Sequence, residues 1–258
     1  MVTEIYDDDS NIESDIEKVI YFDIETTGFD KENDKIIMIS YGKFCDDRFV
    51  IKQFFADNLY EEKKLLVNFL EDIQDNDTWC SYNGIAFDEP FIKKRMKLNK
   101  INLSLPKEHV DLYRLIRPYY KNLGMERCNL KTVEKFLGLQ RKDTIDGGLS
   151  VDLYNRYLDS QNDEIKRIIM LHNYEDVLNL PSIHKFALNI NSDKTLIRDN
   201  GITTKQCKYL EALLEKNSIE LSISINRISK KAASKVIDRL LNGNVDSEEL
   251  ISIVNNSY

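Results

Sequence analysis

The sequence predicts an α/β domain, with a mixed β-sheet flanked by helices, followed by a small helical module at the C-terminal end. Three observations carry that prediction. Strand-like segments dominate residues 19–55, helical periods take over beyond residue 60 with short strands between them, and a polar stretch without periodicity at 190–200 sets two last helical segments apart. Strands first and alternation later place antiparallel and parallel pairs in one sheet. The expected organisation is an acidic tail at 1–18, a core domain at 19–189, a linker at 190–200 and a helical module at 201–258. A chain of 258 residues is long enough for one sizeable core plus such an appendage.

Each element has its own reason. Residues 1–18 hold seven acids (Glu4, Asp7, Asp8, Asp9, Glu13, Asp15, Glu17) and one base, Lys18, so this tail carries −6 of the net −8. Such charge density marks a disordered or loosely attached lead. Val19–Glu25 is the first strand. Ile36–Phe44 and Phe49–Phe55 follow across the short polar turn Cys45–Arg48, which reads as a meander of three neighbouring strands. Residues 60–73 place Leu65, Leu66, Phe69, Leu70 and Ile73 at helical spacing. Thr78–Tyr82 is a fourth strand, closed by the turn signal Asn83-Gly84. Asp88–Leu98 is a helix with Pro90 tolerated in its first turn, and Val110–Leu112 a very short fifth strand. Helices follow at 113–120, 129–138, 150–159 and over 162–189, where Pro181 kinks or splits the run. The module contributes helices at 203–216 and 229–241.

Composition bounds the function. No apolar run is long enough to span a bilayer, and the N-terminal stretch is acidic, so no membrane role is expected and a cytoplasmic location is. Cys45, Cys80, Cys128 and Cys207 are scattered without a C-x-x-C pair, which reads as reduced buried thiols and not as a zinc or disulfide framework. A net charge of −8 weighs against nucleic-acid binding, but the tail supplies most of it.

Three clusters carry chemistry. In Val19-Ile20-Tyr21-Phe22-Asp23-Ile24-Glu25-Thr26-Thr27-Gly28, strand period puts Asp23 and Glu25 on one face and Ile20, Phe22 and Ile24 on the other. Two adjacent carboxylates on an apolar strand repel and lose hydration unless a cation or a proton compensates. Oxygen-rich sites of this kind suit Mg²⁺ or Mn²⁺, although a frayed strand end in water would also tolerate the pair. In Asn83-Gly84-Ile85-Ala86-Phe87-Asp88, Asp88 opens a helix, where the ordinary role is an N-cap. In His172-Asn173-Tyr174-Glu175-Asp176, His172 and Asp176 are four apart and share a face with Ile165, Ile168 and Ile169, so that face is expected to meet the sheet. An Asp there needs a partner, and a salt bridge would serve, as a satisfied core histidine would explain His172.

Taken together, D-I-E-T-T-G on a first strand, N-x-x-x-F-D later and H-x-x-x-D on a late helix resemble the DEDD 3′–5′ exonucleases, whose fold is RNase H-like. Within that superfamily the chain looks most like the bacterial branch named after YprB, through Tyr82–Asp88 (Y-N-G-x-x-F-D), His109–Leu112 (H-x-D-L) and His172–Val177 (H-N-x-x-D-V). The resemblance covers roughly residues 19–189. One departure stands out: a histidine occupies the position four before the last acid, where one subgroup carries tyrosine and another carries histidine five before.

The resemblance implies two divalent ions, Mg²⁺ or Mn²⁺, with Asp23 touching both, Glu25 and Asp176 completing one, and Asp88 holding the other through water. It implies His172 as the group that orients or deprotonates the attacking water; an ordinary imidazole titrates near neutrality, which suits a base. Thr26, Thr27, Gly28, Phe29 and Asn83 are then expected beside the terminal nucleotide, with Phe87 supporting from the core side. The implied partner is single-stranded nucleic acid, DNA favoured over RNA. Alternatives on the same fold are a non-catalytic nucleic-acid-binding or adaptor module and a structure-selective endonuclease. Residues 202–241 hold eight bases and four acids, which suits a solvated helical face or a docking surface for a protein partner, with a phosphate-contacting face as the alternative.

Overall fold

Residues 19–26 are buried on both faces almost throughout, as a strand covered by helices on two sides requires. The computed structural model describes residues 5–7, 16, 18–46, 48–145, 147–193, 195–243, 246–255 and 257. Its strands are β1 (Ile5–Asp7), β2 (Val19–Thr26), β3 (Ile36–Cys45), β4 (Arg48–Phe55), β5 (Thr78–Ser81) and β6 (Glu108–Asp111). They form one mixed sheet in the order β1-β4-β3-β2-β5-β6. β2, β3 and β4 are the expected antiparallel meander, and β5 and β6 add in parallel beside β2.

β1 is a departure from the sequence reading. Part of the acidic lead pairs with β4 (Ile5 opposite Val50), because an open strand edge offers unpaired backbone groups to any extended segment nearby. The rest of 1–18, apart from residues 16 and 18, lies outside the described residues.

Strand period decides what each face of the sheet buries. Ile20, Phe22 and Ile24 pack with Leu65, Leu66, Phe69 and Leu70 of α1 (Glu62–Asp72) and with Phe91, Ile92 and Met96 of α2 (Asp88–Leu98). Phe22 stacks on Trp79 at 4.4 Å between ring centroids. A buried two-pronged pair joins this layer: Arg95 Nε and Nη2 each reach a Glu62 carboxylate oxygen at 2.7 Å. Glu62 Oε1 also accepts the Ile36 amide at 2.9 Å, which ties both helices to the start of β3. On the other face Ile37 and Met38 pack with Leu153, Tyr154 and Tyr157 of α5 (Gly147–Ser160) and Ile169 of α6 (Asp163–Leu178).

The remaining helices are α3 (Leu112–Ile116), α4 (Leu130–Phe136), α7 (Leu180–Ser192), α8 (Thr204–Lys216), α9 (Lys230–Asn242) and α10 (Ser247–Asn255). The break expected at Pro181 falls at Asn179, and Pro181 sits in the first turn of α7, where its missing N–H costs no helical bond. Of the four cysteines only Cys80 is buried; Cys45 ends β3 at a turn and is exposed, against the reading of all four as buried thiols.

The chain divides into two compact units, residues 1–113 with 129–188, and residues 114–128 with 189–258. Segment 114–128, which the sequence reading places in the core domain, belongs to the second unit. The Asp199 amide donates to Pro118 O at 2.6 Å, Asn122 Nδ2 to Ile197 O at 2.5 Å, and the Arg227 guanidinium lies over the Tyr119 ring. Residues 190–200 are therefore bonded within this unit and do not form a free linker. Its core gathers Leu210, Leu213 and Leu214 of α8, Ala232, Ala233, Val236 and Leu240 of α9, and Leu250 of α10. Thr203 and Gln206 form a capping box at the start of α8, and the Ser229 hydroxyl caps α9.

Candidate active site

Asp23 and Glu25 project from the C-terminal half of β2 on the face opposite Phe22, as strand period predicts. A bulge between Glu25 and Thr26 shifts the register against β3 there, a local irregularity of the kind that re-aims side chains beside sites. Asp23 Oδ2 accepts a hydrogen bond from Asn173 Nδ2 at 2.7 Å. Asn173 is fully buried on α6, and its Oδ1 accepts the Ser40 hydroxyl. Gln53 Nε2 donates in turn to Ser40 Oγ and to Met170 O, both at 2.9 Å. This chain fixes which end of the Asn173 amide faces Asp23.

Asp88 arrives on a loop with its own supports. Asn83 has a left-handed backbone (φ 67°), and Gly84 passes so close to Ser81 that a Cβ there would sit 2.0 Å from Ser81 Oγ. Asp111, at the end of β6, accepts the amides of Asn83 (2.9 Å), Ile85 (3.2 Å) and Tyr113 (3.1 Å). His109 bridges Ser81 Oγ (2.8 Å) and Glu89 Oε2 (2.5 Å). Gly84 covers the Ser81 hydroxyl, so this Ser–His–Glu row braces the loop and is closed to a substrate. The H-x-D-L segment is thus the frame that holds the Asp88 loop.

The N-cap reading of Asp88 does not hold. The cap position is Phe87, without a side-chain bond, and Asp88 Oδ1 instead accepts the Ile24 amide at 3.3 Å. The β2–β5 ladder pairs residues 19–21, so farther along β2 the Ile24 N–H finds its partner in this carboxylate.

From α6, His172 and Asp176 face the same place. His172 Nε2 lies 3.6 Å from Glu25 Oε1 and 3.5 Å from Asp176 Oδ2. Glu25, His172 and Asp176 each offer one ligand atom within 4.8 Å of the others. The inward stripe is Ile165, Ile169, His172, Asn173 and Asp176; Ile168 is 36% exposed and does not share it, contrary to the sequence reading, because its position turns it toward solvent with Leu171. The partner anticipated for Asp176 is Arg141, whose Nη2 is 2.6 Å from Asp176 Oδ1.

Burial pushes the Asp23 carboxyl well above its ordinary range, and the charges of Asp176, Asp88 and Glu25 push it further, against the Asn173 hydrogen bond. Glu25 is pushed up to about 8, by burial first and then by Asp176. The buried Ser150 hydroxyl opposes that shift, although it makes no hydrogen bond of normal geometry. Asp88 is raised to about 7 by burial, with Asp111 and Asp176 adding, against hydrogen bonds from its own amide and that of Ile24. Carboxyls drawn from β2, the 82–88 loop and α6 thus make a cluster whose negative charge is poorly tolerated as it stands.

A cleft of about 390 Å³ opens over this cluster, lined by Asp23, Glu25, His172 and Asp176. Of the five residues expected beside a substrate, Thr26, Gly28 and Phe29 line it. Thr27 and Asn83 do not: the Thr27 hydroxyl donates to Asp34 Oδ1 and accepts the Lys35 amide, both at 3.0 Å, and Asn83 serves the turn. Phe29 is 83% exposed and meets Phe87 edge-on at 5.9 Å. Tyr82 and Lys131 also line the cleft, unforeseen from sequence. Tyr82 had a signal in the Y-N-G run; Lys131 had none.

The fold agrees with the comparisons. A family model described as the RNase H superfamily matches residues 20–188, about two thirds of the chain. The chain belongs to the RNase H superfamily. The uncharacterized protein YprB of Bacillus subtilis (strain 168) is 33% identical over 170 residues, spanning 64% of this chain and 41% of YprB. A DNA polymerase of Methanocaldococcus jannaschii is 27% identical over 91% of this chain and 14% of the polymerase. The chain therefore spans well under half the length of either curated relative. Among solved structures, the family B DNA polymerase of Pyrobaculum calidifontis matches 88% of this chain and 27% of its own, with a TM-score of 0.52 and 18% identity, a likeness of fold. This RNase H-like unit, with its mixed sheet between helices, is the architecture expected from sequence. Among the described residues, no helix is long and apolar enough to cross a membrane.

Proposed function

We propose that this chain is a metal-dependent 3′–5′ exonuclease acting on single-stranded nucleic acid. One observation carries the reading: Asp23, Glu25, Asp88 and Asp176, up to 153 positions apart in sequence, crowd into one buried cluster that raises the proton affinity of at least three of them. A binding module has no use for such acids beside phosphates, which disfavours the adaptor alternative.

Glu25, Asp176 and the buried His172 offer two carboxylate oxygens and one imidazole nitrogen within 4.8 Å of one another, and the Asp23 and Asp88 carboxyls feel the same charges, an oxygen-rich set that fits Mg²⁺ or Mn²⁺. Asp23 would hold both ions of a pair, Glu25 and Asp176 one of them, and Asp88 the other. Such ions, when bound, lower the pKa of an attacking water and stabilise charge on the leaving 3′ oxygen. The protein's own residues do the remaining work. Asn173 holds Asp23 in orientation, and His172 Nε2 faces the acids where a water proton would be taken. Phe29 and Tyr82 offer aromatic surface to a terminal base, while Lys131, bonded to the Ile145 carbonyl and 3.4 Å from Asp143, adds positive charge to the cleft wall.

The 3′–5′ direction follows the DEDD resemblance, and preference for DNA follows the DNA polymerase relative. The catalytic domain lies within the unit of residues 1–113 and 129–188, and the helices of the second unit would offer a docking surface to a protein partner. The test is incubation with 5′-end-labelled single-stranded DNA and RNA in Mg²⁺, Mn²⁺ or EDTA. Stepwise shortening that EDTA abolishes supports the reading. No shortening with either ion, or shortening indifferent to EDTA, removes it.

A further inference from the structure

We propose that Asp143, held on a strap between α4 and α5, is a positioning residue that fixes the tautomer of His172 and leaves Nε2 as the ring nitrogen open toward the cleft. The role of that nitrogen in turnover rests on the nuclease reading; the tautomer does not.

The strap has no regular secondary structure at residues 141–145, so its shape is set by tertiary bonds. Glu175, about one turn beyond His172 on α6, accepts the Lys142 amide at 2.9 and 3.1 Å and the Asp143 amide at 2.8 Å. Asp143 Oδ1 accepts the Ile145 amide at 2.7 Å. Arg141 closes the arrangement: Nε and Nη2 reach Asp143 Oδ2 at 2.9 and 2.5 Å, Nη1 reaches both Glu134 oxygens, and Nη2 reaches the His172 carbonyl at 3.3 Å. The Asp143 side chain is 1% exposed. A carboxylate so deeply held, bonded by a guanidinium, one amide and one ring nitrogen, with the Lys131 ammonium at 3.4 Å, does not wander.

His172 Nδ1 meets Asp143 Oδ2 at 3.0 Å. Both oxygens of this carboxylate already accept, Oδ1 from the Ile145 amide and Oδ2 from the Arg141 guanidinium, an arrangement that suits the ionised form. An ionised carboxylate only accepts, so Nδ1 must carry the proton. In the neutral ring Nε2 then holds the lone pair, and its nearest polar neighbours, Glu25 and Asp176, stand at 3.6 and 3.5 Å, beyond direct hydrogen-bond reach. A water or a ligand atom would be received beside these three groups, from the cleft that they line. Hydrogen-bonded partners on the remote ring nitrogen set histidine tautomers in just this manner.

The test is long-range ¹H–¹⁵N NMR of the intact ¹⁵N-labelled chain, above the pH range where imidazole is charged. The chain has three histidines, and a His172→Gln spectrum identifies the relevant signals. The wild-type ring is expected to show a protonated Nδ1 and a bare Nε2. In Asp143→Asn the amide can donate to Nδ1, so the pattern is expected to reverse or mix. Turnover should then fall by about 10²-fold or more with KM within about twofold, the size of a lost base. A wild-type His172 protonated on Nε2 overturns the proposal without needing any variant, as does an Asp143→Asn protein with unchanged tautomer and unchanged kcat. If the wild type cleaves nothing under any condition, the nuclease reading fails while the spectra still decide the tautomer.

Discussion

Replacing Glu25 with Gln should stabilise the protein in EDTA, and only at high pH. Glu25 is almost fully buried, and its carboxyl is raised from an ordinary 4.5 to about 8. The folded state therefore holds a proton that the unfolded state has released. A raised carboxyl contributes its full stability below the unfolded value and loses it as pH rises through the folded one, so wild-type stability should decline between about pH 5 and 9. At about 1.4 kcal/mol per tenfold change in proton affinity, the upper bound is about 5 kcal/mol. Relaxation of the cluster and entry of water reduce that, leaving about 1–3 kcal/mol expected at pH 9. Gln has the same shape and no charge to lose. By thermal denaturation in EDTA, Glu25→Gln should melt about 3–10 °C above wild type at pH 9 and close to it at pH 5. Asp88, raised to about 7, and Asp23, also raised, should leave a shallower slope in the variant. Mn²⁺ should raise the wild-type melting temperature at pH 8 more than that of the variant. A wild-type melting temperature that is flat from pH 5 to 9, or a variant no more stable at pH 9, would refute the electrostatic argument.

Three further outcomes follow from the surroundings of the cluster. Gly84→Ala puts a Cβ 2.0 Å from Ser81 Oγ, itself bonded to His109, so denaturant unfolding should show a loss of about 1–3 kcal/mol. Asp111→Ala strips the acceptor from the amides of Asn83, Ile85 and Tyr113; about 2–4 kcal/mol should be lost, with amide exchange fastest in the 82–88 loop. Phe29→Ala removes an exposed ring, so stability should stay within about 0.5 kcal/mol while substrate KM rises by about fivefold or more, as loss of a base-stacking surface would give.

How much of this was legible beforehand depends on whether the signal is periodic or local. The meander, the alternation in 19–26 and the break before Pro181 are written in spacing, and the structure has them. The placing of Asp23 and Glu25 opposite Phe22 needed only strand period. Asp88 illustrates the limit. Its position at a helix start gives the capping expectation, yet its carboxylate turns to the Ile24 amide because the neighbouring ladder has ended, a fact of sheet register that no local pattern contains. The 141–145 strap was invisible for a similar reason: its residues have no period, and their meaning comes from Glu175, Glu134 and His172, which lie close only in the fold. Segment 114–128 was assigned by chain continuity, whereas its hydrogen bonds run to residues 197 and 199. Ile168 shows that a residue one position off a helical stripe can look apolar enough to belong to it.

Manganese titration followed by electron paramagnetic resonance reads the acidic pocket without any assumption about substrate. The wild-type chain should remove free Mn²⁺ signal up to two ions per chain, and Asp23→Asn, which keeps the shape of the side chain and its place on β2, should bind far less. Equal uptake by the two proteins, or no uptake by the wild type at millimolar Mn²⁺, would contradict the claim that these four carboxyls are gathered to hold cations.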